Sequence, residues 1–401
     1  MLLVGKIFGD IVHRFGFSPL IGQILAGIFL GPLILAQVHI SLDLDNLASL
    51  SILFMMFLMG LSVDFEKVMG ENVYKASLIS VVGGFLAFFT AMSVTALMGF
   101  DMNTALLVGI SFISTSTAIG FMVLQEIGDD RSSVFKTIMG VGTTDDILAI
   151  LALSLFLSYL AASVGQKSGV DLRSAFVLFL VVLGFIIFIL WFGRSVSEKL
   201  INFAKNSTNE LSAIIISIII MFIVAFLGEQ IGVAQVTGAF LAGTILARSQ
   251  ISYKYITPKI NAISEGFFIP LFFVYIGVRI DILGMFSSAP LNFILFTIPI
   301  DFVLFLGLLL VVMSSKYVGT YLSCLLMGGY TEKEMHKMSL AMTPMGEYTL
   351  VISQLALALV IGASRYTIPD ATEIYSVLAM VVLVTSIVSP ILLRRAYDVN
   401  S

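Results

Sequence analysis

Apolar runs of roughly 20 residues follow one another along nearly the whole chain, the length an α-helix needs to cross the hydrocarbon core of a bilayer. About thirteen are placed, near 1–15, 18–37, 47–63, 73–98, 103–124, 133–163, 173–193, 210–228, 232–247, 262–279, 301–328, 336–362 and 371–393. The expected fold is therefore an all-α polytopic membrane protein, one membrane domain over 1–401. Charged residues make up 11% and hydrophobic residues 59%, against about 25% charged in soluble domains. A soluble fold would need a very large core under almost no polar shell. The first run is the shortest: Lys6 and Asp10 interrupt it and His13-Arg14 close it. It reads as the second half of a span, so that either the chain begins upstream or this helix does not cross fully. A cleaved signal peptide does not fit, because the basic residues follow the apolar stretch.

Other classes find little support. No basic cluster with interleaved aromatics suggests nucleic acid, and the net charge of -4 implies no strongly charged partner. His13, His39, His336 and the single Cys324 have no metal-ligand spacing. Nothing resembles a cofactor box, and none is expected.

Lysine and arginine in the connections set the orientation. One alternate set holds Arg14, Lys67, Lys75, Arg131, Lys136, Arg194, Lys199, Lys205, Arg248, Lys254, Lys259, Lys333, Lys337, Arg394 and Arg395. The other holds only Lys167, Arg173, Arg279 and Arg365. The N-terminus is expected outside and the C-terminus in the cytoplasm, which agrees with an odd number of crossings.

An internal repeat accounts for that odd number. Ile21-Gly22 to Ala26-Gly27 recurs as Thr237-Gly238 to Ala242-Gly243, and Phe57 to Asp64 recurs as Val274 to Asp281, at offsets of 216 and 217. Equivalent spans are seven crossings apart, so the topology inverts. The first repeat covers about 1–163, a linker helix about 173–193, and the second repeat about 210–401. Inverted repeats are typical of alternating-access carriers, whose sites lie at the midplane on broken helices. Two spans carry such breaks. Ser111 to Thr117 is a hydroxyl cluster at mid-depth, and Thr343-Pro344-Met345-Gly346-Glu347 puts a proline, a glycine and a carboxylate inside an apolar run. Thr115 and Thr343 are 228 apart, which predicts an insertion near Ser287–Ile300.

Two adjacent acids, Asp145 and Asp146, lie in the sixth span, and Lys316 lies in the eleventh. A charge near the bilayer centre costs at least ~2.5–3.5 kcal/mol on insertion scales. Such a pair makes sense only if cations or protons visit it. Lys316 is too deep to snorkel and needs a partner among Asp145, Asp146 and Glu347. Whichever aspartate it holds becomes structural or coupling, and the other is free to exchange a proton for a cation. Blander readings stand beside these: Lys316 serving packing alone, Thr115 and Ser116 bonding back to helix carbonyls, and Glu347 steadying a broken helix.

With these features in place, the chain resembles the monovalent cation:proton antiporters, especially the branch holding NapA-type sodium/proton antiporters and Kef potassium/proton systems. The likeness rests on Pro19 to Pro32 (PLIGQILAGIFLGP), Phe57 to Asp64 and Ser114 to Gly128 (STSTAIGFMVLQEIG). It continues through Thr144-Asp145-Asp146, Phe272 to Asp281 (FFVYIGVRID), Lys316 and Pro344 to Glu347. The resemblance implies an NhaA-like fold with two crossed broken helices, and a homodimer in the cytoplasmic membrane. It also implies core helices (about 73–163 and 301–397) that move like an elevator against a dimerisation scaffold. By it, Asp146 carries sodium and protons, Asp145 partners Lys316, Thr115 and Ser116 lie in the first unwound segment, and Glu347 lies beside the second. Electrogenic sodium (or lithium)/proton exchange is implied, with potassium/proton exchange as the alternative. Two departures stand out. Met345 replaces the arginine of the NapA-like pattern, and Asp145 stands where Kef systems carry glutamine. A channel would want rings of carbonyls or acids. An aspartyl protease needs its acids on facing helices, and Asp301 is a poor second acid, so no enzyme is expected.

Overall fold

The structure, a computed structural model, describes residues 1–38, 40–62, 73–129, 132–163, scattered positions between 177 and 191, 211–230, 235–247, 255–287, 290–292, 297–357, 359–361, 364–366 and 371–398. In chain order the helices are α1 (Leu2–Arg14), α2 (Pro19–Leu30), α3 (Leu42–Leu61), α4 (Val73–Leu97), α5 (Met102–Ser111), α6 (Thr117–Ile127) and α7 (Ser133–Ser163). After these come α8 (Leu211–Gln230), α9 (Gln235–Ala247), α10 (Thr257–Ile263), α11 (Ile269–Arg279), α12 (Ile282–Ser287), α13 (Ile300–Met327), α14 (Glu332–Ala341), α15 (Glu347–Leu357) and α16 (Ala371–Asp398). A π-helical turn over Ser264–Phe268 joins α10 to α11. Among the described residues, seven helices are long and apolar enough to cross a membrane, and Pro19–Leu30, Met102–Ser111 and Gln235–Ala247 are shorter apolar helices. The expected linker helix near 173–193 lies largely outside the described residues, as do connections carrying Lys67, Arg131, Lys167 and Arg194.

The all-helical expectation holds, with two short strand pairs in the connections. Pro290–Asn292 pairs antiparallel with Thr297–Pro299, and Leu359–Ile361 with Ser364–Tyr366. Both pairs sit in connections, where three-residue ladders satisfy backbone groups that no helix continues. The first falls where the repeat offset calls for an insertion. At the other end of the chain, α1 has 13 residues, fewer than a full crossing needs.

The chain divides into two compact units. One comprises Met1–Ile40, Lys67–Ala149 and Phe273–Ser401, and the other Ser41–Glu66 and Ile150–Phe272. Within the first, α2 crosses α11 with Gly27 against Gly277: a Cβ on Gly27 would stand 2.1 Å from the Val274 carbonyl oxygen, and one on Gly277 2.0 Å from that of Ile24. Within the second, α3 crosses α9 in the same way. A Cβ on Gly60 would stand 2.1 Å from the Phe240 carbonyl oxygen, and one on Gly243 2.2 Å from that of Phe57. Gly27 and Gly243 are 216 apart, and Gly60 and Gly277 217 apart, so each crossing is the image of the other. A third contact repeats too. Gly22 abuts the Phe8 carbonyl and Gly238 that of Val224, again 216 residues apart. This matches α1 to the second half of α8. Small residues at these crossings let backbones touch, which matters because lipid gives helices no hydrophobic reason to associate.

The helices that frame the first unit's interior have sequence-encoded ends. Asp101 caps α5 by accepting from the backbone N–H of Asn103 at 3.0 Å and of Thr104 at 3.4 Å. Gly128, at φ 80, ends α6 in a left-handed cap that glycine adopts without strain. Thr331 and Glu334 form a reciprocal capping box on α14. Gly27→Ala is expected to lower stability by about 1–3 kcal/mol, the cost of overpacking. Gly266→Ala, with open space around its Cβ, should stay within about 0.5 kcal/mol. Thermal melting of the purified variants checks both.

Candidate functional site

All of the sequence-singled residues lie in the first unit. Two helical passes are interrupted there. The first stops at Ser111 and restarts at Thr117, and the second stops at Ala341 and restarts at Glu347. The two breaks touch. The Ser116 N–H donates to the Pro344 carbonyl oxygen at 2.9 Å, and Gly346 leaves room for Ser116, whose Cβ would stand 2.6 Å from a Cβ at 346. Pro344 thus contributes its carbonyl. The Thr349 hydroxyl donates to the Ser111 carbonyl at 2.7 Å, satisfying a group that the interrupted helix leaves open. The second break leans on α16: the Met345 N–H donates to Thr385 Oγ1 at 3.1 Å, and Thr343 Oγ1 donates to Ser389 Oγ at 2.8 Å. Met345 is fully buried and brings no charge.

Asp145 and Asp146 sit midway along α7, on the face pressed against the start of α6. Gly142 makes that approach possible, since a Cβ there would stand 2.5 Å from the Thr117 side chain. Asp145 is 1% exposed. Its carboxylate accepts from Ser80 on α4, from Thr115 Oγ1 at 2.9 Å and from Lys316 Nζ at 3.5 Å. Lys316 is buried as deeply and also donates to the Ile113 carbonyl in the first break. Ser80 and Lys316 are brought to one point by Gly83 and Gly319, three residues further along their helices. A Cβ on Gly319 would stand 2.7 Å from Gly83 Cα, and residues three apart share a helix face. Asp146 is more open and accepts from Ser114 Oγ at 2.8 Å.

The expected set therefore separates into two groups. Asp145, Thr115 and Lys316 form a saturated buried cluster, with Asp146 beside it. Ser116, Pro344 and Glu347 meet at the second break. Thr115 serves Asp145, and Ser116 Oγ has no hydrogen-bond partner among the described residues. Two hydroxyls were not singled out. Ser114 belonged to the flagged hydroxyl cluster, but nothing in the sequence preferred it for Asp146. Ser80 gave only the faint signal of a hydroxyl one turn from the Gly83-Gly84 pair. Among the described residues no group of three or more His, Cys, Asp or Glu side chains is placed to hold a metal ion. The groups present around Asp146 are hydroxyls, carbonyls and carboxylates, hard oxygen donors that suit a hard cation or a proton.

The sequence family described as sodium/hydrogen exchanger, transmembrane, matches residues 1–396, and the chain belongs to it. It is similar to the Na(+)/H(+)-K(+) antiporter GerN of Bacillus cereus, 28% identical over 399 residues, covering 99% of this chain and 94% of that protein. It is also 28% identical over 397 residues to a Na(+)/H(+) antiporter of Enterococcus hirae, covering 98% and 96%. In fold it is similar to the sodium proton antiporter MjNhaP1 of Methanocaldococcus jannaschii, with a TM-score of 0.75, 13% identity and coverage of 99% and 96%. These relatives are transporters, and the chain is a multi-pass membrane protein of the antiporter type.

Truncating Lys316 leaves the Asp145 charge buried without its cation, which typically costs about 3–5 kcal/mol. Lys316→Met should therefore lower the melting temperature sharply, and Asp145→Asn combined with Lys316→Met should recover part of the loss. A double mutant as unstable as the single one would show that the pair is not the source of the cost.

Proposed function

We propose that this member of the sodium/hydrogen exchanger family exchanges sodium (or lithium) for protons across the cytoplasmic membrane, with Asp146 as the shared carrier. One observation carries the reading: of two adjacent acids, Asp145 has three side-chain partners and Asp146 one hydroxyl. The saturated carboxylate is already balanced by Lys316. The other sits at the meeting of two broken helices with its charge unmet, so a proton or a dehydrated cation completes it in turn. Binding of one excludes the other, and that exclusion is the coupling.

Alternating access then requires the site to face each side in turn. In our reading the helices of about 73–163 and 301–397 form the moving core, and the remaining helices a scaffold that pairs two copies. The paired crossings at one sequence offset support two inverted repeats, the architecture that lets such a core move as a body. The remaining crossings that make up about thirteen helices include the linker near 173–193. The charge bias supports an outside N-terminus and a cytoplasmic C-terminus. Electrogenic exchange, nominally two protons for one sodium ion, follows if Lys316 releases its proton when Asp146 takes the cation. Potassium/proton exchange is the second reading, favoured by the name of the relative GerN, which carries both ions.

Asp146→Asn should abolish cation-driven proton flux in reconstituted vesicles, because neutral asparagine neither releases a proton nor balances a cation. Robust flux in that variant would end the assignment. The sign of the pH effect follows from the shared carboxylate. As pH falls, protons occupy Asp146, so half-saturating sodium should rise by up to about tenfold per pH unit. At high pH, carriers returning with protons become scarce and turnover falls. A half-saturation constant flat from about pH 6 to 9, the range over which a shared carboxylate has to change occupant, would mean that the two ligands do not share the site.

A further inference from the structure

The arrangement around Asp146 leaves one carboxylate without a task. Glu347 is the first residue of α15, and its Oε2 is buried with no hydrogen-bond partner among the described residues. The hydroxyl of Ser116, a residue only 3% exposed, is likewise buried and without a partner. Both line a small, partly open cleft whose walls come from α2, α6, α11, α15 and α16. Apolar side chains such as Ile21, Ile24, Phe273 and Val382 form most of those walls, and Ser18 and Ser386 are the further hydroxyls on them. A buried carboxylate oxygen and a buried hydroxyl oxygen, both without a partner among the described residues, are costly in a native structure unless a ligand meets them.

Position points the same way. Ser116 abuts Gly346, the residue before Glu347, and lies two residues from Ser114, which donates to Asp146 at 2.8 Å. The other face of the cleft begins at Ser18, just beyond the connection in which Arg394 donates to the Gly16 carbonyl and to Glu126 at 2.7 Å. The charge bias assigns that connection to the cytoplasmic side. The cleft therefore runs from the cytoplasmic end of α2 toward the meeting of the two breaks.

We propose that Glu347 Oε2 and Ser116 Oγ form a recruiting site for a monovalent cation arriving from the cytoplasm, from which the cation passes to Asp146. Hard oxygen donors suit an alkali cation. In this reading the exchange itself stays at Asp146. The proposal rests on the reading of Asp146 as carrier and adds a second cation position to it.

The test is sodium-specific thermal stabilisation of the purified full-length protein, with sodium chloride titrated against choline chloride at equal ionic strength. Asp146→Asn should keep a reduced sodium-specific shift in melting temperature. Adding Glu347→Gln should abolish it, and adding Ser116→Ala should weaken it about tenfold in sodium concentration. Glu347→Asp, which keeps the charge and guards against a folding defect, should melt normally without sodium and need about tenfold more sodium for the same shift. If Asp146→Asn alone removes every sodium-specific shift, the recruiting site is overturned while Asp146 stands as the carrier. The site is equally overturned if Glu347→Gln leaves the residual shift of Asp146→Asn intact. If Asp146→Asn keeps both the full shift and transport, the carrier assignment itself falls.

Discussion

A helix interrupted inside a membrane exposes backbone carbonyls to a medium that offers them no water, and here Lys316 answers that problem. Its ammonium donates to the Ile113 carbonyl in the first break and to Asp145. Much of the site's electrostatics follows from this placement. The lysine needs a counter-ion at the same depth, and Asp145 supplies it. Asp145 in turn collects Ser80 and Thr115. With those donors engaged, Asp146 retains Ser114, and in the proposed function its charge is the one left for a transported ion. Buried ion pairs seldom add net stability. This one distinguishes two chemically identical neighbours: Asp145 has three side-chain partners and Asp146 one.

Close backbone approach supports this electrostatic arrangement. Gly142 brings the aspartates onto the start of α6, Gly83 and Gly319 bring Ser80 and Lys316 to one point, and Gly346 admits Ser116. Each contact sits one turn or less from a polar group of the site. A methyl group at any of these positions would push apart helices whose hydrogen bonds tolerate only tenths of an ångström. The same device, glycine against backbone, makes the repeated crossings of α2 with α11 and of α3 with α9. Small residues therefore set the closest helix approaches in both compact units.

Much of this was legible in the sequence because membrane insertion penalises exceptions. Asp145, Asp146 and Lys316 stood out as charges in apolar runs, and Pro344 with Gly346 as a break in one. The repeats at offsets of 216 and 217 pointed to an inverted internal repeat, while the glycine crossings of α2 with α11 and of α3 with α9 emerged only from the structure. Less legible was anything that depends on rotation about a helix axis. The hydroxyl cluster at residues 111–117 showed that hydroxyls gather at the site, yet not that Ser114 would meet Asp146 while Thr115 turned to Asp145. Ser80 gave only a faint signal because a lone serine in an apolar helix usually bonds its own backbone. The short strand pairs at Pro290–Asn292 and Leu359–Ile361 escaped for another reason, since three residues are too few to show the alternation that marks a strand.

The account's central claim is that one carboxylate, Asp146, holds either a proton or a cation. Its most direct measurement is proton release when sodium chloride is added to the purified protein in weakly buffered solution, with choline chloride as control. The wild-type protein should release protons in a saturable, sodium-specific manner, and Asp146→Asn should release none. Equal release from both proteins would contradict the claim.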